Sequence, residues 1–478
     1  CHFFVITVAV GGDLANQLRV VFEDPEHSRS SWGVKVRSVS NGETLFELNS
    51  DKLLVPASNM KLLTAISALE FLGPDYRYST KIKASGRIEE GTLKGDLIVV
   101  GSGDPTLGAR LSSPDPLRFE EGNPLAVFLH WVQRLRDLGI KRIKGDIIGN
   151  DQVFGGTELG KGWSWDDLAH GYAAPIGGLQ YNENRVVIQV NRQRSNSGVP
   201  AVQMIPHYPS LQIDNLLTFV PEWREWEYDL DRIMGGSGIV LRGSVPSGKD
   251  PLWVTVSVER PAEFFLSTLK RVMSAQGIKI DGVARVLPYE AKLENTRTLF
   301  IHESPDIRFI VRILLKISQN LYAETLVRTM DRRPLAKTFE KGREALGLVM
   351  EYAGVSEDSY VIADGSGLSR YNLLTPEAVV RLLQFAFLQP YREDFLKALP
   401  IAGVDGTISQ RLRGTVAASK VSAKTGSLDR VRSLSGYVMT DDGETLAFSM
   451  IVNNYDERGK DVEAVQDLAL QYMIRFSR

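Results

Sequence analysis

The chain holds one cysteine, Cys1, in 478 residues. No disulfide can close within it, and no cysteine-based metal site can form. Histidine is almost as scarce. His2, His27, His130, His170, His207 and His302 are scattered, with no pair at metal-ligand spacing on one helix face. Long apolar runs are missing too, since nothing approaches the roughly 20 residues of a membrane-spanning helix. Neither sign of charge dominates. Fifty-six Lys+Arg face 58 Asp+Glu, a formal charge of −2, which leaves no bulk basic field to draw in nucleic acid.

What is present is ordinary globular material, 43% hydrophobic and 24% charged, which rules out global disorder. At roughly 150 residues per domain the length implies two or three domains. Phe3 to Val10 (FFVITVAV), followed by Gly11-Gly12, reads as the tail of a secretory h-region. The expectation is an exported, extracytoplasmic protein. The competing readings are an ordinary N-terminal strand and, ranked last, a lipid-modified Cys1.

Trp32 to Asn49 carries two alternating stretches around Asn41-Gly42, the signature of a type I′ hairpin. Ser435 to Asn453 is a second hairpin, turning at Asp441-Asp442-Gly443. Asp461 to Phe476 then has apolar residues at helical spacing. These strands near both termini are expected to share one antiparallel sheet, with the last helix against a face. Pro56–Leu72, Ser304–Met330 (broken near Ser318), Pro334–Tyr352 and Thr375–Leu388 read as helices. Between about residues 80 and 300, strand-and-turn sequence dominates, interrupted by helices near Pro124–Leu138 and Ala262–Gln276. The pattern is that of modules inserted into a discontinuous outer domain.

Ser58-Asn59-Met60-Lys61 lies in the first turns of a helix, where positions i and i+3 share a face. The lysine amine can therefore reach the serine hydroxyl. Desolvated or beside another cation, Lys61 becomes neutral enough to take the Ser58 proton. The motif alone is weak, because Ser267 to Lys270 repeats it inside a helix where surface solvation explains it. Two further elements change its weight. Ser318-Gln319-Asn320 is the only Ser-x-Asn, and Lys424-Thr425-Gly426 the only Lys-Thr-Gly, in the chain. Their order, on helix, helix break and strand, matches the set that serine acyl-transfer enzymes use. Ser58 serves as nucleophile and Lys61 as base. Ser318 relays a proton, Asn320 binds a substrate amide, and Lys424 with Thr425 receives a carboxylate. Gly426 lets the strand edge come close, and the backbone N–H groups of Ser58 and Ser427 form the oxyanion hole.

From Trp32 onward the chain resembles the class C low-molecular-mass penicillin-binding proteins, the D-alanyl-D-alanine carboxypeptidases/endopeptidases. VPASNMKLLTAISAL, GSGDPTL (101–107), ADGSGLSRYNLLTP (363–376), GVDGTISQRL (403–412) and AKTGSLDRVRSLSGYV (423–438) carry the likeness. So do the some 260 residues between Ser58 and Ser318. The middle motif is Ser-Gln-Asn where Ser-Asp-Asn is common in that family. The resemblance implies an α/β (α+β) transpeptidase-like fold with an antiparallel sheet flanked by helices and two inserted β-rich domains. The expected division is a D,D-peptidase domain of 13–80 and 290–478, an inserted domain of 81–195 and 263–289, and a second of 196–262. It also implies peptidoglycan stem peptides as substrates, β-lactams as covalent inhibitors, and no metal or organic cofactor.

The family tends to have an acid where Asp151 ends KRIKGDIIGND. The resemblance makes it a carboxylate for the free amine of a diaminopimelate-type side chain; the alternative is a turn aspartate after a strand. Asp364, Ser366 and Ser369, in a Gly-rich loop, divide between turn chemistry and lining the cleft. The aromatics of WREWEYDL (223–230) divide between a binding patch and the edge or core of an inserted module. Two rival functions share the motifs. A serine β-lactamase needs fast deacylation, and no dedicated deacylating Glu is identifiable. A catalytically idle β-lactam sensor is opposed by the intact Ser58, Lys61, Ser318, Asn320 and Lys424.

Overall fold

The computed structural model describes residues 14–108, 122–193, 198–233, 235–236, 238–456 and 459–478, so the readings of Cys1 and of Phe3 to Val10 lie outside the described residues. The chain forms two compact units. One comprises the described residues up to Glu70 with Leu314–Ser318 and Leu346–Arg478, the other Phe71–Ile313 with Gln319–Ala345.

The first unit is built on a five-stranded sheet in the order Thr44–Leu48, Ser31–Ser38, Thr445–Asn453, Val431–Met439, Val421–Leu428. All four pairings are antiparallel, so strands from both ends of the chain do share one sheet. Alternation along Trp32, Val34 and Val36 points one face inward, where Leu446, Phe448, Met450 and Val452 complete the surface. Helices Leu14–Phe22 and Gly459–Arg475 cover it through Leu18, Phe22, Val462, Leu470 and Met473. Helix Pro376–Leu388 belongs to the same unit; Pro376 stands at its first turn and the Thr375 hydroxyl accepts from Ala378 N.

The first hairpin departs from expectation. Its register slips between Val36 and Arg37, and only Gly42 of the Asn41-Gly42 pair has positive φ, at 75°. A type I′ turn needs both. Instead Asn41 Oδ1 accepts from Glu43 N, a local side-chain turn that competes with the two-residue loop. The helix expected from Pro334 begins at Phe339.

The second unit is richer in sheet. A five-stranded sheet runs Ala284–Val286, Ile147–Asn150, Leu97–Val100, Ser79–Ser85, Thr296–Glu303. Its first three strands pair in parallel. Three smaller sheets accompany it. Helices Ala126–Asp137 and Pro261–Ala275 pack Phe128, Trp131, Phe264 and Phe265 into one aromatic core with Tyr181. Trp226 stacks on Tyr228 at 5.1 Å, and Tyr228 lies on Glu227–Arg232, an edge strand of one of the small sheets. Among the described residues no helix is long and apolar enough to cross a membrane.

Candidate active site

Ser58 sits in a single 3₁₀ turn, Ala57–Asn59, that leads into the helix Met60–Phe71. The turn is held from below. Ser433 Oγ donates to Pro56 O at 2.7 Å, and Asn59 Nδ2 donates to Ser435 Oγ at 2.6 Å. Ala57 has φ +47°, a left-handed conformation that a non-glycine residue keeps only when its surroundings enforce it.

Lys61 is completely buried, with Nζ 2.8 Å from Ser58 Oγ and 2.6 Å from Ser366 O. The carbonyl is delivered by a loop organised around Asp364. One Asp364 oxygen accepts from Gly367 N (2.7 Å) and Asn372 Nδ2 (2.6 Å), the other from Ser369 N (2.6 Å). The side chains of Asp364, Ser366 and Ser369 are all buried, so this loop follows turn chemistry, and its contribution to Lys61 is a backbone oxygen.

Lys424 comes from the edge strand Val421–Leu428 and is also completely buried. Its Nζ lies 2.9 Å from Ser318 Oγ and 2.7 Å from Thr425 O. Burial, and then the nearby Lys61 cation, holds the Lys424 amine well below its usual range. Ser318 has φ +61° at the break after helix Ile307–Lys316. Lys316 is buried before it, 2.6 Å from both Asp405 carboxylate oxygens and from Leu399 O. Asp405 also accepts from Ile401 N, and Thr407 in the same loop accepts from the Thr425 hydroxyl at 2.8 Å. Sequence reasoning missed Lys316 and Asp405; the quoted GVDGT stretch was the available signal.

Gly426 is required by space. A Cβ there would lie 2.2 Å from Ser433 Oγ, 2.7 Å from Pro56 O and 3.0 Å from Ser58 N. Ser427, next along, is exposed and its hydroxyl accepts from Arg432 Nη1. The first unit thus brings together Ser58, Lys61, Ser318, Lys424, Thr425 and Gly426. Two buried amines beside two hydroxyls suit removal of a serine proton and its return to a leaving group.

Asn320 and Asp151 belong to the second unit. Asn320 opens helix Asn320–Thr329 and its Nδ2 donates to Tyr172 O at 2.8 Å. Asp151 follows the strand Ile147–Asn150 and accepts from Leu179 N. Burial, with a smaller push from Glu158, raises its carboxyl to about 7. It lines a cavity of about 510 Å³ shared with Phe154, Glu158, Tyr289 and Arg328. The second Ser-x-x-Lys makes different bonds: Ser267 Oγ donates to Phe264 O, and Lys270 Nζ to Gly282 O.

Comparison with known proteins gives matches along nearly the whole chain. The profile of the D-Ala-D-Ala carboxypeptidase 3 (S13) family matches residues 14–472. A D-alanyl-D-alanine carboxypeptidase from Actinomadura sp. (strain R39) is 30% identical over 95% of this chain and 83% of its own. The D-alanyl-D-alanine carboxypeptidase DacB of Haemophilus influenzae is 26% identical over 89% of this chain and 86% of its own. The crystal structure of penicillin-binding protein 4 (dacB) from Haemophilus influenzae superposes with a TM-score of 0.80, at 25% identity, covering 96% of this chain and 99% of that one. The same protein has been solved with a β-lactam bound, and there the likeness has a TM-score of 0.76.

Proposed function

We propose, for a chain that belongs to the D-Ala-D-Ala carboxypeptidase 3 (S13) family, that Ser58 is the nucleophile of a D,D-peptidase acting on peptidoglycan stem peptides. The observation that carries the reading is the contact of wholly buried Lys61 with Ser58 Oγ at 2.8 Å, beside a second buried lysine. Burial disfavours the charged form of an amine, and of the two neighbouring lysines Lys424 is held well below its usual range. Lys61 then takes the Ser58 proton as Oγ bonds to the carbonyl carbon between two D-alanines. The developing oxyanion faces the N–H groups of Ser58 and Ser427. Ser318, within reach of Lys424, hands a proton to the departing amine as the C–N bond breaks, the proton taken up by Lys61 makes good the one Ser318 gives, and D-alanine leaves. Water adds to the ester, Ser58 regains its proton, and the shortened peptide is released. When the amine belongs to a cross-link, the same steps give endopeptidase cleavage.

Thr425 and Lys424 receive the terminal carboxylate, Asn320 a backbone amide of the peptide, and Asp151 a side-chain ammonium. β-Lactams acylate the same serine. Export to the cell-wall compartment and the division into 13–80 with 290–478, 81–195 with 263–289, and 196–262 form part of the same proposal.

The test is incubation with a fluorescent penicillin and, separately, with a D-Ala-D-Ala stem peptide. Slow-release labelling with D-alanine production is the expected result. Rapid penicillin turnover makes it a β-lactamase, and labelling without peptide turnover makes it a sensor; either overturns the proposal.

A further inference from the structure

Gln319, the middle residue of the Ser-Gln-Asn motif, is nearly buried and has two partners. Its Oε1 accepts from Leu321 N at 3.1 Å and so caps helix Asn320–Thr329. Its Nε2 donates to Glu183 Oε2 at 2.6 Å. The same Glu183 oxygen lies 2.6 Å from Arg185 Nη2, with both side chains mostly shielded from water. A buried carboxylate is costly unless its lone pairs are met by donors.

Glu183 is placed there by an uncommon backbone. Asn182, Glu183 and Asn184 have φ of 53°, 56° and 52°. Asparagine visits the left-handed region readily, but glutamate does so rarely. The turn is fixed by its neighbours. Asn182 Nδ2 donates to Arg185 O at 2.8 Å, Asn184 Nδ2 to Pro175 O at 2.8 Å, and Asn184 Oδ1 accepts from Tyr181 N at 3.0 Å. The chain thus holds a strained residue in order to present a carboxylate to residue 319.

The amide serves both of Gln319's partners, because it accepts with one atom and donates with the other. A carboxylate at 319 would still cap the helix but would face the Glu183 carboxylate. An aliphatic residue would leave both groups without their bonds to it. The next residue, Asn320, takes its backbone direction from this cap.

We propose that Gln319 is a positioning residue that fixes Asn320 through a buried amide–carboxylate–guanidinium chain with Glu183 and Arg185. Gln319 and Glu183 form a matched pair, one supplying the amide and the other the charge. The inference rests on the reading that Asn320 meets the substrate.

The experiment measures kcat and KM for a D-Ala-D-Ala stem peptide, the rate of acylation by a fluorescent penicillin, and the melting temperature. The variants are Gln319→Glu, Glu183→Gln, their double swap, Asn320→Ala, and Gln319→Glu combined with Asn320→Ala. Gln319→Glu is expected to lower kcat/KM and the acylation rate by about 30-fold or more, and the double swap to recover to within about fivefold of the starting enzyme. In the Asn320→Ala background, Gln319→Glu should have little further effect, because it acts through the residue already removed. Multiplicative losses in the double swap overturn the matched pair. Undiminished sensitivity in the Asn320→Ala background, or a lowered melting temperature with unchanged rates per folded molecule, overturns the positioning role. Should Gln319→Glu fail to fold, Gln319→Met, which keeps the length of the side chain but makes neither bond, is read on the same scale, and a rate equal to the parent's overturns the proposal. If the parent enzyme is labelled by penicillin but releases no D-alanine, the peptidase reading fails, and the coupling is still decided by the acylation rates.

Discussion

Ser-x-x-Lys occurs at 58–61 and again at 267–270, each time in helical sequence, and the two copies share spacing but not chemistry. At the first, Lys61 is completely buried against a serine oxygen and a carbonyl, with Lys424 close enough for the two cations to disfavour one another. At the second, Ser267 is exposed and donates to the helix carbonyl three residues back, while Lys270 turns to Gly282 O. Such back-bonding is what a serine inside a helix does when nothing else claims it. Spacing makes the contact possible, and the strand and loop packed over the first turn make it happen.

Removing the two hydroxyls breaks the comparison open most widely. Ser58→Ala should abolish covalent penicillin labelling and lower D-alanine release by on the order of 10⁴-fold or more. Ser267→Ala should leave both unchanged. Surviving label in the first variant, read by gel fluorescence, returns the two copies to equal standing.

The lysines give the next largest contrast. Lys61→Arg should slow acylation about 10³-fold with the fold retained, because a guanidinium keeps its proton at any working pH. Lys270→Arg should change it by less than about twofold, as expected for a surface site. Stopped-flow acylation of both variants decides the point.

The same contrast of buried and exposed groups extends to carboxylates. Asp151 is held at about 7 by burial, so it gains its charge as pH rises through that value. The kcat/KM for a stem peptide with a free side-chain amine should then rise several-fold between about pH 6 and 8, relative to its N-acetylated analogue. Asp151→Asn should flatten the ratio; a ratio that still climbs puts the amine pocket elsewhere.

Asp104 bears on stability and leaves the rates alone. It is buried in GSGDPTL, is held at about 6 by desolvation, and its Oδ2 has no partner among the described residues. Its folded pKa lies above the unfolded value, so its contribution to stability is full below about pH 4 and is lost as pH rises through about 6. That loss is about 2–3 kcal/mol. Asp104→Asn should remove this part of the pH dependence of the melting temperature. An unchanged slope means the carboxyl is already ionised in the fold.

Much of this was legible beforehand because it is local. The two hairpins, the helix after Ser58 and the break at Ser318 are written in alternation, periodicity and turn residues within short windows. The three motifs were legible because each needs particular side chains at fixed offsets. What stayed hidden depends on partners far away in sequence. Ser366 O reaches Lys61 across 305 positions and Asp405 reaches Lys316 across 89, and nothing in either segment alone announces the contact. The parallel pairing of Leu97–Val100 with Ile147–Asn150 is hidden for the same reason. The Asn41-Gly42 turn misled in the opposite direction. The dipeptide favours a two-residue loop, but the Asn41 side chain took Glu43 N and the strand register slipped instead.

Two glycines, Gly426 and Gly367, face the same backbone nitrogen. A Cβ on either would stand 3.0 Å from Ser58 N, and on Gly367, where φ is +82°, also 1.8 Å from Ala57 O. This sets a limit on how the site can change over generations. A pocket under selection to exclude an unwanted acylating molecule is most simply altered by adding a methyl group to its wall. Here the methyl would press on the Ser58 amide, which in the proposed mechanism meets the oxyanion of every acyl donor, the natural peptide included. On that mechanism, a side chain at either position would impair the natural peptide along with an inhibitor. Inheritable escape is then left to side chains farther from Ser58, where an inhibitor and a peptide differ in shape.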